Sequence, residues 1–351
     1  MSVLDYRAIR TVLRGCYLVR EVDVCILGAG PAGLAAAVQL RRNGRDVIVL
    51  DRPPVKKPWG GETFTGTIQT TLKELGFWDR FETAGHLPGY ERVSAWGGEP
   101  HTESSIMSTT GNVWHVDRDQ FDLDLRRDAE HLGVPILSYL RIDCLERSRG
   151  KWSLRLDSTS EVLAPFLIDS TGRSRVLAKK LGAPVRATDW LMGLTCRVEH
   201  SERSELIPSM TLEATPYGWW YAAPTPAGHV VALFTDRDLA PPELRKKMQP
   251  VAANSAFTEW RPEDGWLPIG DACASHDPLC GWGVVRAMRN AMLAADAVSC
   301  YLSTGSLEAL CDYQEHCQSQ FQKYLQGLTA RYSMEQRWSD SPFWGRRITA
   351  V

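Results

Sequence analysis

A chain of 351 residues is long enough to bury a large core and to build more than one structural lobe. Forty basic residues against forty-two acidic ones leave a net charge of −2, a balance that argues against nucleic acid as a partner. Nine cysteines, scattered and without a Cys-x-x-Cys pair, argue against a zinc or dithiol centre, predict no metal, and fit a reducing cytoplasm.

The first twenty residues carry Arg7, Arg10, Arg14 and Arg20 but no continuous apolar run, so no secretory signal is expected. The most apolar window, Val24 to Leu40, is interrupted by Gly28, Gly30, Pro31 and Gly33 and is too short and broken for a membrane span. The expectation is a soluble, cytoplasmic protein with no stable membrane insertion.

Val22 to Leu27 reads as a buried parallel strand, because the run is apolar on both faces. Gly28-Ala29-Gly30-Pro31-Ala32-Gly33 follows, then Leu34 to Arg42 of helical composition with Gly44 as a stop. Asp46 to Leu50 is a second strand, ending at Asp51 with Arg52 beyond it. Asp117 to Leu132 is an amphipathic helix with Phe121, Leu125, Ala129 and Leu132 on one face. Val134 to Leu137, Trp152 to Leu156 and Phe166 to Asp169 are predicted strands. The middle is strand-rich: Leu191 to Val198, Met210 to Ala214, Gly218 to Ala223 and His229 to Thr235, broken at Thr215-Pro216 and at Pro224 to Gly228 as in an antiparallel meander. Trp266 to Gly270 returns to short strand, Val284 to Leu302 is a long alanine-rich helix, and Leu307 to Arg331 is a second helix before an aromatic, basic tail.

The fold class expected is α/β: a Rossmann-like domain with an inserted antiparallel-sheet domain for substrate and a helical C-terminal tail. Residues 20–86, 114–185 and 262–304 are assigned to the first domain, 87–113 and 186–261 to the second, and 305–351 to the tail.

The first domain is expected to be an FAD-binding one of the glutathione-reductase type on the strength of two glycine loops, Gly28 to Gly33 and Gly270 to Val284. A glycine triplet becomes specific when a strand precedes it, a helix follows and an acid closes the next strand. Gly28 serves the tight turn, Gly30 the close approach of a pyrophosphate, and Gly33 the packing of helix on strand. With Ala32 they open a helix whose N-terminal N–H groups face phosphate, and Asp51 accepts from a ribose hydroxyl. Far downstream, Gly270-Asp271-Ala272 closes another strand, and Asp277-Pro278-Leu279-Cys280-Gly281-Trp282-Gly283-Val284 opens a long helix. Asp271 is suited to a ribityl or phosphate-side hydroxyl. Pro278, Gly281, Gly283 and Val284 aim a positive helix end at the electron-rich edge of a reduced flavin. The pair of loops points to FAD rather than a nicotinamide.

Further stretches carry a resemblance. They are Gly60-Gly61-Glu62-Thr63, His115-Val116-Asp117-Arg118 with Phe121-Asp122, Asp169 to Ser174, Gly218-Trp219-Trp220-Tyr221, the Gly270 to Val284 segment, and the tail Glu335 to Trp344. With them the chain resembles the class A flavin monooxygenase and flavin-dependent halogenase superfamily. Within it the match is to the tryptophan-halogenase-like branch that includes flavoproteins maturing tryptophylquinone enzymes. The resemblance implies that Arg118 contacts FAD and that Gly61, Glu62 and Thr63 lie beside the flavin ring. Asp169 to Ser174 reads as a structural turn near the adenine, with Gly172 a candidate cofactor-binding residue. The chain departs from true halogenases in two places. The strand reads Gly218-Trp219-Trp220-Tyr221-Ala222-Ala223-Pro224 where they carry Trp-x-Trp-x-Ile-Pro, and Glu91 to Trp96 lacks the active-site lysine.

The resulting expectation is an FAD-dependent monooxygenase that hydroxylates an aromatic ring through a flavin C4a-hydroperoxide. The ring is a tryptophan or indole-like group, free or within a peptide or partner protein. NAD(P)H or a partner flavin reductase supplies electrons, and molecular oxygen is the co-substrate. His276, Asp277 and Tyr221 are the candidate proton-handling groups, and Trp219, Trp220 and Trp282 are candidates for stacking on the substrate. A flavin-dependent halogenase, a polyprenyl-type reductase and a non-catalytic flavin-bearing maturation scaffold are the alternatives.

Overall fold

The computed structural model describes residues 10–14, 17–53, 61–104, 111–199 and 209–348. Gly60 of the Gly60–Thr63 stretch, Arg7 and Cys16 lie outside the described residues.

Five parallel strands form the central sheet, in the order Ile136–Ser138, Val47–Asp51, Val24–Leu27, Phe166–Asp169, Trp266–Pro268. The three middle strands are almost wholly buried, which is why they read as unbroken apolar runs instead of alternating ones. On one face the helices Pro31–Arg42 and Gly283–Thr304 pack against each other through Ala35, Ala36, Ala291, Ala294 and Ala295, all of them fully buried. Small side chains allow two helix backbones to approach closely above a sheet. The other face is covered by antiparallel strands Ile142–Ser148, Lys151–Leu156 and Ser160–Ala164, whose Trp152, Leu154, Leu156 and Val162 point inward. Tyr17–Glu21 joins this layer in parallel beside Ser160–Ala164, with Arg10–Arg14 antiparallel at its edge. The sequence reading assigned no strand to either of these two segments.

The second large sheet has seven strands, in the order Gln249–Ala252, Leu191–Glu199, Gly228–Asp236, Gly218–Thr225, Met210–Thr215, Glu91–Ala95, His101–Ser104. It is not the simple meander expected. Leu191–Glu199 pairs with Gly228–Asp236 instead of its neighbour in sequence, and Met210–Thr215 runs parallel to Glu91–Ala95. Strand Gly218–Thr225 also runs through Pro224, which faces His229 across the ladder. The C-terminal helices Glu308–Ser333 and Pro342–Ile348 close the structure. The last helix sinks Phe343 and Trp344 into the core of the second sheet, beside Trp96, Trp219 and Tyr332. Arg347 anchors it through a buried ion pair with Asp236. No helix of the described residues is long and apolar enough to cross a membrane.

Candidate functional site

The first glycine loop is shaped by backbone contact. Gly28 sits at φ +104°, and a side chain there would strike the Ser170 carbonyl. A Cβ on Gly33 would run into the Gly28 carbonyl and Ser170 Oγ. Ser170 Oγ lies 2.7 Å from the Leu27 carbonyl oxygen and 2.6 Å from that of Gly28, pinning the turn from the neighbouring strand. Gly30 is different: no described atom lies within 4 Å of a Cβ built on it. The helix it precedes has Pro31 first, no side-chain cap and no acid in its first turn, so the N–H groups at Ala32 and Gly33 are left to a ligand. Asp51 ends the adjacent strand, paired with Arg126 at 3.1 Å, and Arg52 is exposed beside it. Arg126 was not singled out in the sequence; it lies on the amphipathic helix Arg118–His131, 75 positions further along the chain.

The second loop touches the first. A Cβ on Gly270, at φ +56°, would lie 2.9 Å from the Cβ of Ala32, so the two loops meet at van der Waals distance. Asp271 is held by Arg173 at 3.4 Å, and Arg173 also donates to the carbonyls of Asn254 and His276. Gly281 adopts φ +64°, and Gly283 opens the 22-residue helix with no side-chain cap and no acid in its first turn. The space beside Gly281 and Gly283 is open, Pro278 is exposed, Trp282 is 43% exposed and Val284 is buried beneath.

Between the two sheets a third group assembles. Gly61–Phe64 pairs with Val113–Asp117, placing Thr63 opposite His115 and Glu62 opposite Val116. Thr63 Oγ1 lies 2.9 Å from His115 Nδ1 and 2.8 Å from the Tyr221 hydroxyl. Burial holds the Tyr221 phenol well above its ordinary pKa and pulls His115 down to about 4, so both are uncharged near neutrality. A side chain on Gly61 would collide with Thr225, and the bare glycine lets the two sheets close here. Arg118 is buried, ion-paired with Glu62 and with Asp122 at 3.1 Å, and its Nε finds no partner among the described residues. An orphaned guanidinium N–H, the open glycines 30, 281 and 283, and two uncapped helix ends fit an elongated anionic cofactor of the FAD kind.

The surroundings of the other candidate residues bear on the roles expected of them. His276 is buried, wedged edge-on against Tyr324 and Phe321. Burial, with Arg286 and Arg173 nearby, drops its pKa to about 2, too weak for a base at neutral pH. Asp277 is buried and accepts from Leu279 N–H at 2.9 Å and from Tyr332 Oη at 2.7 Å, so it braces the loop. Trp219 and Trp220 cannot act together on one substrate, because neighbours in a strand point to opposite faces. Trp219 is 1% exposed, stacked on Phe234 and donating to Tyr332, which makes it a core residue. Trp220 packs on the far face against Leu194 and Leu233. In the turn that holds Gly172, Asp169 accepts from Thr171, Leu177 and Ala178 and caps the helix that follows. Tyr324 and Tyr332, which hold the Asp277 loop, gave no local signal; only the helix Glu308–Ser333 folding back brings them there.

Comparison with known proteins follows the same lines. A family profile described as FAD binding domain matches residues 21–205, more than half of the chain. LodB of Marinomonas mediterranea, named as an FAD-dependent oxidoreductase, is 26% identical, with 94% of this chain and 97% of LodB covered. A menaquinone reductase of Mycobacterium tuberculosis is 30% identical over 79% of this chain and 76% of its own length. Among solved structures, the halogenase CmlS superposes with a TM-score of 0.80 at 21% identity, covering 93% of this chain and 67% of CmlS. The peptidyl tryptophan dihydroxylase QhpG superposes with a TM-score of 0.76 at 21% identity, covering 93% of this chain and 79% of QhpG. Those two likenesses establish the shared fold.

Proposed function

The chain belongs to the FAD binding domain family and is a halogenase-like FAD-dependent oxidoreductase; on that premise we propose that it is a monooxygenase hydroxylating an aromatic ring. The substrate in this reading is a tryptophan or indole-like group, free or within a peptide or partner protein. NAD(P)H or a partner flavin reductase is the electron source and oxygen the co-substrate. One observation carries the choice of oxygen over halogen. Among the described residues, the seven strands of the second sheet hold no lysine, and Tyr221 of that sheet is hydrogen-bonded to Thr63 on the strand Gly61–Phe64.

Bound FAD would supply the oxidising power, with Ala32 and Gly33 N–H groups on its phosphates and Asp51 on its ribose. Glu62, Arg118 and Asp271 would line its middle, and the helix end at Gly283 would face the ring edge that gains negative charge on reduction. Tyr221, kept protonated by burial and hydrogen-bonded to Thr63, would act as a neutral hydrogen-bonding group beside the reacting ring. Trp282, the exposed member of the three candidate tryptophans, is the one assigned in this reading to stacking on a substrate ring.

Support for the tryptophan class comes from QhpG, a peptidyl tryptophan dihydroxylase. A second reading, saturation of an isoprenoid chain, is favoured by the 30% identity to menaquinone reductase. Aerobic turnover of the FAD-loaded protein with tryptophan-bearing peptides should add one or two oxygen atoms by mass. Peroxide release alone across a broad panel would sink the hydroxylase reading, and anaerobic double-bond reduction of a polyprenyl quinone would replace it.

A further inference from the structure

Behind the second glycine loop, a cleft runs between that loop and the helices Gly283–Thr304 and Glu308–Ser333. Cys273, His276, Arg286, Tyr313 and Cys317 line it, and Gly270, Asp271 and Gly283 form its mouth. Two of the chain's thiols therefore share one small cleft although 44 residues separate them (317 − 273 = 44). Cys273 sits at 3% exposure directly after the Gly270–Ala272 turn, and Cys317 at 4% on the C-terminal helix. Their side chains are in hydrogen-bond contact with each other, and Tyr313 is in contact with Cys317. This is not part of a metal centre: among the described residues no three His, Cys, Asp or Glu side chains gather to hold an ion.

The two sulfurs are not equivalent. Cys317 receives the hydrogen bond from Cys273, which together with Tyr313 lowers its pKa against the opposing effect of burial. The same contact and burial raise Cys273. A sulfur that loses its proton more readily, beside one that holds it, can serve as attacking and resolving cysteine. Cys280 is near by but sits apart from the pair, its sulfur 3.7 Å from Arg286 Nη2 and its thiol raised chiefly by burial.

We propose that Cys273 and Cys317 are a peroxide-reactive pair that closes to an intramolecular disulfide, tying the Asp271 turn to the C-terminal helix. Cys317 sulfur attacks one oxygen of hydrogen peroxide, the O–O bond breaks, and a sulfenic acid and hydroxide result. Cys273 sulfur then attacks that sulfenic sulfur and expels its oxygen, which leaves as water with the thiol proton. Overall two thiols are oxidised and one peroxide is reduced to two waters. The chemistry needs only added peroxide and does not depend on which substrate the protein takes. Oxygen-using flavoproteins are themselves a source of peroxide, and that link alone rests on the functional reading above.

The test is peptide mapping of the flavin-loaded protein after brief treatment with hydrogen peroxide and alkylation of the remaining thiols. A Cys273–Cys317 linked peptide, lost on treatment with dithiothreitol, is the expected product. Cys273→Ser should abolish the link and leave Cys317 as sulfenic or sulfinic acid. Cys317→Ser should abolish it and leave Cys273 alkylatable, while Cys280→Ser should keep it. The proposal is overturned if both thiols stay alkylatable at a peroxide dose that oxidises the exposed Cys300 and Cys311. It is equally overturned if Cys317 oxidises without a link, or if Cys273 pairs elsewhere. Should the protein prove to be a reductase and not a hydroxylase, the link still forms with added peroxide.

Discussion

The two glycine loops meet at Gly270 and Ala32 but are built by opposite means. The first is a backbone object: Gly28 and Gly33 are glycine because carbonyls occupy the space of a side chain, and one hydroxyl, Ser170, pins it. The second is held by side chains that arrive from elsewhere, with Arg173 on Asp271, Tyr324 on the Asp277 N–H and Tyr332 on its carboxylate. A loop made by sterics is rigid and self-sufficient. One made by imported hydrogen bonds is adjustable, and it belongs as much to the tail as to itself.

That contrast can be broken most severely at Gly33. Gly33→Ala forces a methyl against the Gly28 carbonyl and should cost more than about 3 kcal/mol in denaturant unfolding. Gly30→Ala is its control. With open space around the new methyl, stability should stay within about 0.5 kcal/mol while flavin affinity, read by equilibrium dialysis, falls at least roughly tenfold. If Gly30→Ala binds flavin normally, the pyrophosphate does not lie on this loop.

Next comes Tyr332→Phe, which removes the donor to Asp277 and the acceptor for Trp219 Nε1–H. Two buried polar groups lose a partner, so a loss of about 1–3 kcal/mol is expected, together with faster flavin release from the loosened second loop. An unchanged release rate would mean that the tail does not brace the loop.

A finer probe is Asp277→Asn. Burial lifts the Asp277 pKa from 3.8 to about 6, outweighing the hydrogen bonds from Leu279 and Tyr332 that lower it. The folded protein thus binds this proton more tightly than the unfolded chain. The contribution is present below about pH 4 and is lost as pH rises through about 6. The stability difference, variant minus wild type, should therefore grow across that window by on the order of 3 kcal/mol and then level off. A flat difference would show the carboxylate to be better solvated than its burial indicates. The smallest effect belongs to His276→Gln. A group with a pKa of about 2 does not titrate near neutrality, so the pH–rate profile between about pH 5 and 8 should not move.

The sequence by itself determined what short-range sterics and periodicity control. The strand Val24–Leu27, its glycine turn, the helix Pro31–Arg42 and the acid at Asp51 were all legible, because each needs only its neighbours to be specified. The long helix Gly283–Thr304 and the C-terminal helix were legible for the same reason, within a few residues at their ends. Tertiary structure decided the rest. Strand pairing across the second sheet depends on long-range partners, so Leu191–Glu199 lies beside Gly228–Asp236 and not beside the strand that follows it. Side-chain facing and burial moved Trp219 into the core, neutralised His276 and turned Asp277 from a reacting group into a brace. The cysteine count suggested no redox pair, since spacing along the chain says nothing of residues that a returning helix brings together. Local rules wrote the cofactor loop, and the environment of each side chain, set by the whole fold, decides which of its neighbours can do chemistry.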